Sequence, residues 1–299
     1  MTRRELSHNR IYKARVFEML FREKKEALEL YNAVNGTQYE DEEQLEIVTL
    51  DNAIYMSMKN DVSFLIDNRL SVYEQQSTFN PNMPLRILLY VSDLYSVLTR
   101  KMNLYSKKLK QIPNPKFLIF YNGKDKQPEF QTLKLSDAYT NPEDKPELEL
   151  SVRMLNINKG NNEKLMKACK TLADYVEYTN RVRTYAEKMD IEEAVERAVT
   201  ECIREGILAE FLKRNRAEVV KMSIYEYDEE KHMQQEREEW EAIGWKKGLE
   251  KGEETGREAG EQRMSQLIQK LLAAGRTEEL NHAASDKELR ERLYEELGI

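Results

Sequence analysis

Four residues stand out for the chemistry that they could do together: Asp61, Glu74, Gln75 and Gln76. Asp61 opens a run in which Val62, Phe64 and Ile66 alternate with Ser63 and Leu65, and a second run, residues 70–76, follows Asp67-Asn68. Aspartate and asparagine tolerate the positive φ of a tight turn, so the pattern predicts a β-hairpin over residues 60–78. A two-residue loop would pair Ile66 with Arg69 and Leu65 with Leu70. Carried back along the strands, the same register sets Asp61 opposite Glu74. Carboxylates directly opposite one another repel and weaken a sheet. A bound cation would remove that cost. Gln76, two residues beyond Glu74, points to the same face.

The Asp…Glu-x-Gln spacing resembles the PD-(D/E)xK nuclease core in its Glu-x-Gln variant, and the surrounding sequence narrows the likeness. LEIVTLDNAIYMSMKNDVSFLID leads into the hairpin, YEQQSTFNPNMPLRILLYVSDLY follows it, and KFLIFYNG and ILAEFLKRNRAEVVKMSIYEYDEE come later. As an ordered set these segments resemble the recombination-promoting nuclease (Rpn) family, also described as PD-(D/E)xK nuclease family transposases, over residues 10–230. The resemblance implies an α/β, restriction-endonuclease-like core: a mixed sheet flanked by helices, with a C-terminal helical extension. It implies Mg²⁺-dependent hydrolysis of DNA phosphodiesters, with Mn²⁺ as a substitute ion. Asp61 and Glu74 would act as catalytic carboxylates and metal ligands, and the backbone carbonyl of Gln75 as a further ligand. Gln76 stands where most relatives have lysine; its amide does not titrate and so can only orient a water or a phosphate oxygen.

One departure bears on activity. Relatives carry an acid on their first helix two or three positions before a phenylalanine, whereas Ala14 and Arg15 precede Phe17 here. Glu18 is the nearest acid, and one position after Phe17 it would face a different side. An inactive nuclease fold that binds DNA or protein is therefore the alternative. A third reading is an oligomeric interaction protein built on its C-terminal helices.

The chain has 299 residues, enough for one or two domains with a sizeable core. Charged residues make up 34% of it and the mean hydropathy is −0.76, which indicates much solvated helix. No apolar run of membrane-spanning length occurs. The basic start MTRRELSHNR has no apolar segment behind it and does not read as a signal peptide, so a cytoplasmic location is expected. Cys169 and Cys202 are too few for a disulfide framework or a zinc site. His8, His232 and His282 are dispersed, and no glycine-rich phosphate loop follows a strand. Hydrolytic triads, zinc centres and ATP binding are not indicated.

The net charge of −7 is unevenly spread: residues 1–190 carry +2 and residues 191–299 carry −9. Arg3, Arg4, Arg10, Lys13 and Arg15 lie near the start. Arg100, Lys101, Lys107, Lys108, Lys110 and Lys116 fall within 17 residues, beside the candidate site in sequence. Such a group can neutralise phosphates, and Arg86, Arg100, Lys101, Lys107 and Lys108 are the residues expected to bind DNA. The same cations also suit an ordinary solvated helix end, and Arg86 could equally pair with a carboxylate.

Helices are expected over residues 10–34, 84–109, 162–188 and 191–214 from their apolar spacing. Asn82 is the expected N-cap of the second. Strands are expected over 45–50, 54–58, 116–121, 130–135 and 148–155, with Asn122-Gly123 ending the third. The expected divisions are residues 1–188 (nuclease-like domain), 189–240 (helical extension) and 241–299 (charged, glycine-periodic helical tail). In that tail Gly244, Gly248, Gly252, Gly256 and Gly260 recur every four residues. Five glycines are costly in a helix, so a frayed linker is favoured over a ridge for pairing with a second helix. Residues 264–297 read as a helix-turn-helix-like end turning at Gly275, too acidic for a recognition helix.

Overall fold

The computed structural model describes residues 16–49 and 61–299. The expected strand over 54–58, the basic residues of the N-terminus, His8 and the Ala14–Arg15 pair all lie outside the described residues. Two compact units divide between Glu230 and Lys231.

The first unit is α/β. Among the described residues its sheet has six strands: β1 (Glu46–Ile47), β2 (Val62–Ile66), β3 (Arg69–Gln76), β4 (Asn114–Tyr121), β5 (Phe130–Lys134) and β6 (Ser151–Asn156), in the order β1-β2-β3-β4-β6-β5. Strands β3, β4 and β6 are parallel; β1 and β2 at one edge and β5 at the other run antiparallel to their neighbours. The hairpin has the register that its alternation dictates, with Ile66 on Arg69, Leu65 on Leu70 and Val62 on Tyr73. Asp67 and Asn68 sit at φ 49° and 56°, the left-handed pair that a two-residue turn of this twist demands.

Helices cover both faces of the sheet. On one face Val62, Phe64, Tyr73, Leu118 and Phe120 join a core with α1 (Val16–Phe21), α2 (Lys24–Asn35), α4 (Glu163–Ala168), α5 (Lys170–Ala186), α6 (Ile191–Glu205) and α7 (Ala209–Arg214). On the other, Leu70, Val72, Ile119, Tyr121, Val152 and Met154 pack with Met83, Ile87, Tyr90, Val91 and Leu94 of α3 (Met83–Thr99). Helix α3 is the crossover between the parallel strands β3 and β4, a connection that parallel pairing requires.

Several expected boundaries shift, each for a local reason. The first helix breaks at Arg22–Glu23, and α2 closes on Gly36 in the left-handed conformation. The expected helix over 162–188 breaks at the extended backbone of Cys169. Helix α3 stops at Thr99, not at residue 109. Beyond it, the side chains of Asn103 and Ser106 accept hydrogen bonds from the backbone N–H groups of Tyr105 and Lys108, which competes with helix continuation. Asn82 occupies the N-cap position of α3, but its side chain makes no capping bond. The 188 boundary falls short of the core, because Val195, Ala198, Val199, Cys202, Leu212 and Val219 are fully buried in it. Among the described residues no helix is long and apolar enough to cross a membrane.

The helix α8 (Arg216–Ala273) is continuous through the glycine series, so a frayed linker is not what forms there. A Cβ at any of those five glycines would meet nothing within 4 Å. The second unit buries Leu267 and Leu271 of α8 with Ala283 of α9 (Thr277–Ser285) and Leu293 and Tyr294 of α10 (Lys287–Leu297). Gly275, at φ 70°, makes the turn after α8. Three helical segments thus stand where two were expected.

Candidate active site

The carboxyl ends of β3 and β4 and the amino end of β2 meet at one end of the sheet. Asp61, one residue beyond the last hairpin pair, stands level with Glu74 as the register requires. Alternation puts Asp61 with Ser63, whose hydroxyl lies 3.4 Å from the Tyr90 hydroxyl of α3, and puts Glu74 and Gln76 with Val72 on that same face. Gln75 points to the opposite face. Asp61, Glu74, Gln75 and Gln76 are all buried, at 4–8% exposure, so their polar atoms must be satisfied inside the protein or by a ligand.

Much of that satisfaction is internal. The Gln75 backbone N–H donates to Asp61 Oδ2 at 2.6 Å, and the Asp61 N–H donates to Glu74 Oε2 at 3.3 Å. Each carboxylate therefore takes a backbone donor where the β2–β3 ladder ends. Glu74 Oε1 also lies 3.4 Å from Arg86 Nη2 of α3. The expected bare repulsion between Asp61 and Glu74 is thus offset by two N–H dipoles and one guanidinium. Of the two partners open to Arg86, this structure supplies the carboxylate. The Arg86 side chain is 37% exposed against 8% for Glu74, so the arginine is the solvent-facing member of the pair.

Gln76 donates through Nε2 to Met83 Sδ at 2.7 Å, and Arg86 Nη1 lies 3.2 Å from the same sulfur. Gln76 Oε1 has no hydrogen-bond partner among the described residues. On the opposite face Gln75 Nε2 donates to Asn122 Oδ1 at 2.8 Å. Arg183 of α5 donates to the backbone carbonyl of Asn122 and, at 3.3 Å, to Asn122 Oδ1. Asn122 Nδ2 lies 3.3 Å from the Thr179 hydroxyl. The loop beyond is tightly fitted: a Cβ at Gly123 would stand 2.1 Å from the Ser77 carbonyl oxygen. Asn122, Arg183 and Met83 carried no chemical signal in the sequence, because their roles come from strand register and helix packing.

Glu18 lies on α1, which packs on the sheet face opposite Asp61 and Glu74, and it pairs with Arg22 at 2.6 Å. Among the described residues no group of three or more His, Cys, Asp or Glu side chains comes together. Two carboxylates with a peptide carbonyl and waters still make a donor set that Mg²⁺ accepts, since it binds through one or two carboxylates and keeps much of its water. Arg100, Lys101, Lys107 and Lys108 are exposed and lie elsewhere. The segment after α3 feeds β4 at Asn114, which pairs with Arg69 at the hairpin-turn end, whereas Glu74 pairs with Ile119. The 17 residues of α3 place its two ends about 25 Å apart. These cations are beside the site in sequence and at the other end of the sheet in space. Comparison with protein-family models, curated proteins and solved structures finds no match to this chain.

Proposed function

We propose that the end of the sheet carrying Asp61, Glu74 and Gln76 is the centre of a DNA endonuclease of the PD-(D/E)xK type, as the resemblance to the Rpn family implies. The observation that carries this reading is the hairpin register, which sets two buried carboxylates side by side where the ladder opens, with Gln76 and Arg86 around them. Asp61, Glu74 and the Gln75 carbonyl would hold Mg²⁺. When bound, the ion polarises a phosphoryl oxygen and lowers the pKa of a water. In the reaction the water oxygen forms a bond to phosphorus and a bridging P–O bond breaks. The water gives up a proton, the departing oxygen takes one, and a phosphate monoester and a hydroxyl result. Gln76 orients the water or a phosphate oxygen without exchanging protons itself. Arg86 faces the developing negative charge from the solvent side.

A second reading has its own support. The hydrogen bonds from Gln75 N–H to Asp61 and from Asp61 N–H to Glu74 are what a purely structural strand end would also use, and they favour an inactive fold kept for binding DNA or protein.

Plasmid nicking with and without Mg²⁺ separates the two. The parent protein nicks only with Mg²⁺, and Asp61→Asn does not nick. Asparagine keeps an oxygen for the Gln75 N–H and removes one charge, so stability without metal changes by no more than about 1 kcal/mol. Mg²⁺ raises the melting temperature of the parent and not of the variant, because only a ligand held by the folded state stabilises it. A parent that neither nicks nor shifts with Mg²⁺ leaves the binding-module reading in its place.

A further inference from the structure

We infer that a cavity between the loop after β6 and helices α4 and α5 binds a small aromatic carboxylate, with two fused rings in its apolar interior and the acid at Lys159. The cavity has a volume of about 280 Å³ and is lined by residues 157–160 and by side chains of α4 and α5. Strand β6 runs parallel to β3 and β4, so its carboxyl end lies at the same end of the sheet as Gln76. Open α/β sheets bind ligands in the crevice beyond those ends. Helices α4 and α5 cover the face opposite Asp61 and Glu74, which makes the cavity separate from the candidate active site. The inference does not rest on the nuclease reading.

The interior is apolar. Ile157, Met166, Ala173 and Val176 line it, and Ile157 is fully buried. Water held in a cavity needs polar partners, which these side chains do not offer, so an apolar ring displaces it favourably. An apolar cavity of about 150 Å³ takes benzene, and roughly twice that volume takes two fused rings. The Met166 thioether favours an aromatic ring over an alkyl chain.

The polar groups around this interior select an anion. Lys159, Glu163, Lys167 and Glu177 are its charged lining residues. Glu163 and Lys167 pair at 3.7 Å, and Glu177 pairs with Arg181 at 2.9 Å. Lys159 has no ion-pair partner among the described residues. It stands exposed beside Gly160, where a Cβ would meet nothing within 4 Å. The Asn158 amide is already committed, because its Nδ2 donates to the Gly123 carbonyl and to Asn156 Oδ1, each at 3.0 Å. One unpaired cation at the mouth of an apolar cavity complements one acid on an apolar body.

The test is calorimetric titration of the full chain with β-naphthoate and with its neutral amide. The parent should bind the acid about two- to fivefold more tightly than the amide, the range for one solvent-exposed ion pair. Lys159→Gln should bind acid and amide alike, and an exposed position lets it keep the fold. Ala173→Phe should fill the cavity with its own ring and bind neither probe. Should that variant lose its cooperative melt, the acid-to-amide ratio in Lys159→Gln decides alone. No saturable binding by the parent overturns the site, as does an equal affinity of the parent for acid and amide. Unchanged binding by folded Ala173→Phe also overturns it. Adenosine monophosphate binding more tightly than β-naphthoate overturns the ligand class. None of these readouts uses Mg²⁺ or DNA, so a failed nicking assay leaves them untouched.

Discussion

The two ends of the sheet use polar residues in opposite ways. At the carboxyl ends of β3 and β4, Asp61, Glu74, Gln75, Gln76 and Asn122 are buried, and most of them bond to one another or to backbone. At the hairpin-turn end, Arg100, Lys101, Lys107 and Lys108 stand in water. The first group carries only two formal charges and the second carries four. The cation-rich end nevertheless lacks the convergence that chemistry needs. Charge counted along a sequence locates a field; strand register locates a site. The basic surface can attract a polyanion from a distance, while the polar end can hold one group in one orientation.

The sharpest way to break this contrast is at Gly123. A methyl group there collides with the Ser77 carbonyl oxygen, a backbone atom that cannot swing aside. Gly123→Ala should cost about 3 kcal/mol in urea unfolding, at the upper end for overpacking, and should disorder the polar end specifically. A loss under about 1 kcal/mol would mean that the strand ends are not as tightly clamped as described. Arg183→Met comes next. It leaves the Asn122 carbonyl and amide oxygen without their charged donor while keeping the aliphatic stem, and should cost about 2 kcal/mol. Because Asn122 holds Gln75, the same variant should weaken the response to Mg²⁺; a loss of stability with that response intact would confine Arg183 to a scaffolding role.

The smallest effect on stability belongs to the exposed cations. Replacing Arg100, Lys101, Lys107 and Lys108 together by serine should change folding free energy by no more than about 0.5 kcal/mol per site. It should leave the Mg²⁺-dependent rise in melting temperature untouched. If these residues neutralise DNA phosphates, the salt dependence of duplex binding should become shallower by about 0.9 for each phosphate left without its cation, which a titration across several salt concentrations reads directly. An unchanged slope would make them solvating residues alone.

The hairpin was legible in the sequence because two independent signals agree: alternation with period two and an Asp-Asn turn. Together they specify register to the residue, and so the Asp61–Glu74 juxtaposition. Helix lengths were less legible. The leucines after Thr99 continue an apolar composition, but the helix has already ended at Thr99, and beyond it Asn103 and Ser106 bind the backbone locally, which no periodicity reveals. Helices α6 and α7 read as an extension because they are highly charged, although their narrow stripes of alanine, valine and leucine are fully buried. Within the site, the hairpin residues could be named in advance. Arg86 left its partner open between phosphate and carboxylate, and Asn122 looked like punctuation after a strand. Arg183, 61 positions from Asn122 in the chain, looked like any helical arginine. Long-range partners of common residue types have no local signature. The glycine series misled in the other direction: its period is conspicuous, yet a Cβ at any of the five would meet nothing within 4 Å, whereas Gly123, read only as the end of a strand, has no room for one.

The 2.6 Å bond from the Gln75 N–H to Asp61 has a spectroscopic consequence. A short hydrogen bond to an ionised acceptor draws electron density away from the amide proton. The Gln75 amide should therefore resonate far downfield in a proton–nitrogen correlation spectrum and exchange slowly with deuterium oxide. Titration with Mg²⁺ would divert part of the Asp61 charge and move that single resonance upfield, while signals around Asn114 and Lys116 stay in place. In Asp61→Asn the resonance should already sit upfield and ignore the ion. One backbone proton thus serves as a built-in gauge of how much negative charge the aspartate keeps for the fold and how much it gives to a ligand.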